Sequence, residues 1–123
     1  PPPCGSSRRF LDPDPRAATH AEEVAGVQAV VGDFMTIRPD QLGKFDVITF
    51  NKVLEHVEDP TAMLVRATPH LNPNGFVYIE VPDGEAASVE GPGREEFFIE
   101  HHHVFSAPSL AMMASRSGLR VLV

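Results

Sequence analysis

An α/β domain with a mostly parallel sheet flanked by helices is the architecture the sequence predicts. Three observations carry that prediction. Short apolar runs alternate with helix-like segments along the chain. Two helix starts are written as acid-proline pairs, Asp14-Pro15 and Asp59-Pro60. The run "FDVITF" (45–50) is apolar nearly throughout, as in a strand covered on both faces. A chain of 123 residues suffices for one small domain.

In order, "RRFL" (8–11) reads as a short strand. Asp14 then caps a helix whose first position is Pro15, with Ala17, Ala21 and Val24 on one face and Gly26 as the stop. "VQAVV" (27–31) is β-branched and bounded by Gly32-Asp33, so it is a second strand. "FDVITF" is the third. Asp59 caps a helix bearing Leu64, Ala67, Thr68 and Leu71, and "NPNG" (72–75) signals a stop and turn. "FVYIEV" (76–81) is a fourth strand. Residues 83–100 read as a long polar, glycine-rich connection. A last helix follows Ser106, with Leu110, Met113 and Ala114 as its face and Gly118 as its stop, and "LRVLV" (119–123) is expected to close the sheet as a strand. No internal repeat is present.

Composition narrows the function. A net charge of −7 argues against a nucleic-acid partner, which needs a basic face. A single cysteine, Cys4, allows no internal disulfide. The apolar runs fall far short of the ~20 residues of a membrane span, and no basic-then-apolar signal peptide opens the chain. The expectation is a cytoplasmic protein with no membrane and no nucleic-acid partner. "PPPCGSSRRF" is proline-rich and lacks amphipathic pattern, so residues 1–8 are expected to be a lead-in or the scar of a truncation, and 9–123 the domain.

The run "FDVITFNKVLEHVEDPTAMLVRATPHLNPNGFVYIEVP" resembles the class I S-adenosylmethionine-dependent methyltransferases, in the style of the ubiquinone-biosynthesis O-methyltransferases. The matching pieces are Phe45-Asp46-Val47, Val53-Leu54-Glu55-His56-Val57, Asp59-Pro60 and Leu71-Asn72-Pro73-Asn74-Gly75. "LDPDPRAATHA" is similar to the family's second strand and its helix, "VVGDF" to its third strand and adenine loop, and "HHHVFSAPSLAMMASRSGLRVLV" to its tail. The resemblance implies a partial Rossmann-like methyltransferase domain with S-adenosyl-L-methionine as cofactor. It departs in two respects: no D-x-G-x-G-x-G loop precedes "RRFL", and the family's last antiparallel strand finds no counterpart. Weak or undetectable cofactor binding by this chain is therefore the expectation.

The resemblance places cofactor contacts at Asp12, Asp33, Phe34 and Asn51. A carboxylate has two acceptor oxygens and a ribose two vicinal hydroxyls, so Asp12 suits the sugar; a turn aspartate fixing "DPDP" is the plainer alternative. Asp33 suits an adenine amino group and the Phe34 N–H a ring nitrogen; alternatively Asp33 ends a strand and Phe34 fills core. Asn51 ends the third strand, where parallel sheets present ligands. Lys52 points to solvent or to an anionic substrate. His56 is a candidate general base, with a packed histidine as the alternative, and Glu55 reads as structural. His101, His102 and His103 alternate faces on an extended segment, so no metal set is expected from them; His101 is a candidate for the active-site mouth. Phe97 and Phe98 sit where a substrate lid would lie.

The function expected is methyl transfer to a small-molecule acceptor. The alternative is a truncated or degenerate, non-catalytic domain acting as a binding or partner subunit. A nicotinamide-dependent Rossmann enzyme is disfavoured, because G-x-G-x-x-G is absent and "VLEHVEDP" would go unexplained.

Overall fold

The structure is a computed structural model that describes residues 7–90 and 101–122. The chain divides into two compact units, Pro1–Gly43 and Lys44–Val123.

In the first unit, β1 (Arg9–Asp12) leads to α1 (Pro15–Ala25), β2 (Gln28–Val31) and a single helical turn, α2 (Pro39–Leu42). β1 and β2 are parallel, with Arg9 opposite Gln28 and Asp12 opposite Val31. The crossover between them is α1, which packs on both strands. Its start is as the residues dictate: Asp14 accepts the Arg16 N–H at 2.9 Å, and proline takes the first turn. Its end is Gly26 at φ 62, a left-handed value that glycine adopts without a Cβ penalty. The expected apolar face is only partly right. Ala18 is the buried residue, whereas Val24 is 72% exposed. Periodicity fixes which side chains share a stripe but not how far along the helix its partners extend. α2 was not expected; the Gln41 side chain accepts the Arg38 N–H at 3.1 Å and closes the turn over buried Leu42.

The second unit holds β3 (Phe45–Asn51), a 3-10 turn (Leu54–His56), α3 (Pro60–Ala67), a second 3-10 turn (Thr68–His70), β4 (Leu71–Glu80), α4 (Gly84–Glu90) and α5 (Ala107–Arg116). β3 and β4 are parallel from Val47 opposite Phe76 to Asn51 opposite Glu80. Leu54 and Leu64 are wholly buried, each burial contributing about 1.5–3 kcal/mol. α3 packs against α5, whose Met113 and Ala114 are buried as its spacing predicts.

Five expectations are corrected here. α3 ends at Ala67 and Leu71 begins a strand, because Pro69 has no N–H to extend the helical ladder. "NPNG" does not precede β4 but lies inside it: Phe45 pairs with Leu71 and Val47 with Phe76, so the extra residues bulge out, with Asn74 at φ 65. β3 and β4 are not covered on both faces, since Val47, Phe76 and Tyr78 are each close to half exposed. The 83–100 connection contains α4, while Phe97 and Phe98 lie outside the described residues. "LRVLV" forms no strand among its described residues, 119–122. There the Gly118 N–H donates to the Ser115 carbonyl and the Leu119 N–H to that of Ala114, closing α5 in a Schellman motif with Gly118 at φ 82. The first amide of the run is thus already used by the helix.

Candidate functional site

In the first unit, Asp12 is the last residue of β1 and stands opposite Val31, the last of β2. Asp33 follows two residues later, so both acids leave the same carboxyl edge of the parallel pair. Asp12 Oδ1 accepts the Asp14 N–H at 2.8 Å, which turns the chain into α1. Asp33 Oδ1 likewise accepts the Met35 N–H at 2.8 Å, and its carbonyl accepts the N–H groups of Thr36 and Ile37 at 3.1 and 2.9 Å. Each carboxylate is therefore held in place by a local turn. One oxygen of a carboxylate suffices for that, and about four lone-pair sites are available to each group. Asp12 is half-buried, Asp33 exposed and Phe34 half-buried.

In the second unit, Asn51 ends β3 opposite Glu80 and is exposed. Lys52 follows at φ 52, a left-handed backbone that costs a non-glycine residue about 1–2 kcal/mol. Its N–H donates to the Glu80 carbonyl at 2.7 Å, which holds the kink. The kink sends the chain off the strand end into the Leu54–His56 turn. Asp59 then accepts the Ala62 N–H at 3.0 Å and caps α3.

Glu55 lies at the centre of this region. It is 1% exposed. Its carbonyl accepts two N–H groups, from His102 at 2.7 Å and His103 at 3.2 Å, so the 101–103 segment is fastened to the turn. The His101 ring stands edge-on to that of His56, with centroids 4.6 Å apart and planes at 79°. His56 Nε2 lies 3.8 Å from Glu55 Oε1. Glu55 Oε2 is buried and takes no hydrogen bond from the described residues. The His103 ring turns away, its Nε2 3.2 Å from the Glu58 carbonyl oxygen and its face stacked on Phe105. Farther along, the Gly84 N–H donates to the Phe105 carbonyl at 2.6 Å. A Cβ on Gly84 would lie 2.6 Å from that oxygen, so only glycine permits the approach.

The candidate residues fall in two sets. Asp12, Asp33 and Phe34 belong to the first unit; Asn51, His56 and His101 belong to the second. Within the second, His56 and His101 come together although 45 residues apart in sequence. The signal that marks Glu55 is present in the chain: an acid inside the apolar "VLEHV", one turn past a strand end.

Comparison with known proteins agrees with this architecture. The chain is 30% identical over 80 residues to an uncharacterized 37.1 kDa protein in transposon TN4556 of Streptomyces fradiae, a match covering 65% of this chain and 23% of that protein. A solved SAM-dependent methyltransferase of Thermotoga maritima, described as a possible histamine N-methyltransferase, superposes with a TM-score of 0.73 at 22% identity, over 90% of this chain and 54% of that one. The chain thus spans about half the solved neighbour and about a quarter of the transposon protein. That likeness shows the fold, a Rossmann-like methyltransferase architecture of parallel strands flanked by helices. The family model of a methyltransferase domain matches residues 7–123, nearly the whole chain, and the protein belongs to that methyltransferase domain family.

Proposed function

We propose that the protein takes part in S-adenosyl-L-methionine-dependent methyl transfer to a small-molecule acceptor. The observation that carries this reading is the pair Asp12 and Asp33, two turn-fixed acids on one carboxyl edge of a parallel pair, in a chain of the methyltransferase domain family. Their chemistry fits a nucleoside. Asp12 would accept hydrogen bonds from ribose hydroxyls, and Asp33 from an adenine amino group, with Phe34 beside the ring. Asn51, at the end of β3 in the second unit, is a further candidate contact that the family resemblance alone supports. Bound cofactor supplies a methyl group already activated on a sulfonium. What remains for the protein is to hold the acceptor atom in line and to exclude water. His56 and His101 are the candidates for handling the acceptor's proton. A cytoplasmic setting and a small, neutral or anionic acceptor belong to the same proposal; the acidic net charge supports the absence of a nucleic-acid partner.

The test is amide chemical-shift mapping with S-adenosylhomocysteine, which detects binding even when it is weak. Shifts centred on Asp12 and Asp33, and lost in Asp12→Ala, are expected. Absent shifts, or shifts elsewhere, would leave the alternative of a non-catalytic partner domain as the better reading.

A further inference from the structure

We infer that Glu55, His56 and His101 form a binding site for one divalent first-row transition cation of the zinc class. The three side chains offer one carboxylate oxygen and two imidazole nitrogens, and these donor atoms all lie within 4.8 Å of one another. Such a mixed nitrogen–oxygen set suits Zn2+, Co2+, Mn2+ or Fe2+ rather than the oxygen-preferring Mg2+ or Ca2+.

The spacing distinguishes this site from a hydrogen-bonded acid–histidine pair. A hydrogen bond would bring Glu55 Oε1 and His56 Nε2 to about 2.7–3.2 Å. They stand 3.8 Å apart. Two donors each ~2.1 Å from a shared ion are separated by about 3.4 Å at a tetrahedral angle and a little more at a wider one. The donors all lie within 4.8 Å of one another, close to the ~4.2 Å that one ion permits, so a small inward swing of one imidazole is enough to bring all three onto it. His56, with 42% of its side chain exposed, has the room.

A second, independent observation is the charge. Glu55 is 1% exposed, and its Oε2 is buried with no donor among the described residues. A buried carboxylate is costly without a counter-charge, and a cation supplies one. The scaffold is also built. His102 and His103 donate their N–H groups to the Glu55 carbonyl, and the far end of the segment is tied to Gly84 through Phe105. His101 is thereby carried to the carboxylate on a fixed backbone, while the His103 ring is committed to Glu58 and Phe105. Taken alone, His101, His102 and His103 make a poor ligand set; Glu55 and His56, from a distant turn, change that. Three protein donors leave at least one position for water or for an acceptor heteroatom, on the side where His56 meets solvent.

The site lies wholly in the second unit, and its test reads a metal rather than a nucleoside, so it stands or falls apart from the nucleoside-binding reading; with the cation bound, His56 and His101 serve as ligands and not as proton carriers. Chelator-stripped protein is titrated with Zn2+ by calorimetry and with Co2+ by visible absorption. One equivalent is expected, with the intense ligand-field bands of a low-coordinate Co2+ site. Glu55→Gln and His101→Ala should each weaken binding by about tenfold or more, and exposed His102→Ala should leave it within about twofold. His56→Asn serves as a further ligand variant should Glu55→Gln lose its circular-dichroism signature. No binding, or wild-type affinity matched by the ligand variants, overturns the site and leaves an adventitious ion only. Equal loss in His102→Ala and His101→Ala overturns it in favour of a surface histidine run.

Discussion

Replacing Glu55 by methionine should make the metal-free protein more stable, although it deletes a charged residue at the centre of the candidate site. The reasoning rests on burial and pairing. The side chain is 1% exposed, its Oε2 has no donor among the described residues, and its Oε1 is 3.8 Å from His56, too far for a hydrogen bond. A buried polar atom without a partner costs about 1–3 kcal/mol. Methionine has a similar volume and flexible shape, so little packing is lost. Subtracting up to about 1 kcal/mol for the long contact with half-exposed His56 leaves a net gain of up to about 2 kcal/mol. Urea unfolding in excess chelator would show it as a raised midpoint at constant slope, by up to roughly 1 M for a slope near 2 kcal/mol/M. Zn2+ should narrow or reverse the order, because ligand at 100 times the wild-type dissociation constant stabilises the wild type by about 2.7 kcal/mol and a variant that binds tenfold more weakly by only about 1.4 kcal/mol. A loss of 3 kcal/mol or more in chelator would refute the argument, since that is the cost of breaking a well-compensated buried pair.

Two further outcomes follow from the geometry. Leu64→Ala should cost about 2–5 kcal/mol with an unchanged urea slope, because Leu64 is fully buried in α3 and the cavity cannot be filled from the surface; a cost below 1 kcal/mol would mean that the α3–α5 packing is wrong. At the start of α1, the Arg16 side chain and then its N–H hold the Asp14 carboxyl below its ordinary value of 3.8. A carboxyl depressed on folding stabilises the fold above its unfolded value and loses that contribution as pH falls through the folded value. The melting temperature of wild type should therefore exceed that of Asp14→Asn most clearly above the ordinary value of 3.8, and the difference should shrink as pH falls below it; a difference that does not shrink in acid contradicts the pairing.

The local chemistry was legible. Asp14, Asp59 and Ser106 cap the helices that follow them, and Gly26 and Gly118 end theirs in the left-handed region. Each of these depends on a hydrogen bond or dihedral spanning a few residues, which residue type alone decides. The strand ends that carry Asp12 and Asn51 were legible for the same reason, since an apolar run stops where polar residues begin. Residues 119–122 were misread because a strand exists only if a neighbour accepts its ladder, and apolar alternation says nothing of the neighbour. "NPNG" carries true turn chemistry, but whether a turn ends a strand or bulges within one depends on the register of β3 across from it.

By itself, the sequence determined where α1, α3 and α5 begin, the parallel strand–helix alternation and the family. Only the tertiary structure decided that Glu55 is buried and that His56 and His101 meet beside it. Burial and long-range contact are properties of chain closure. They arise when residues 101–103 hydrogen-bond to a carbonyl almost fifty positions earlier, and no local pattern encodes that distance.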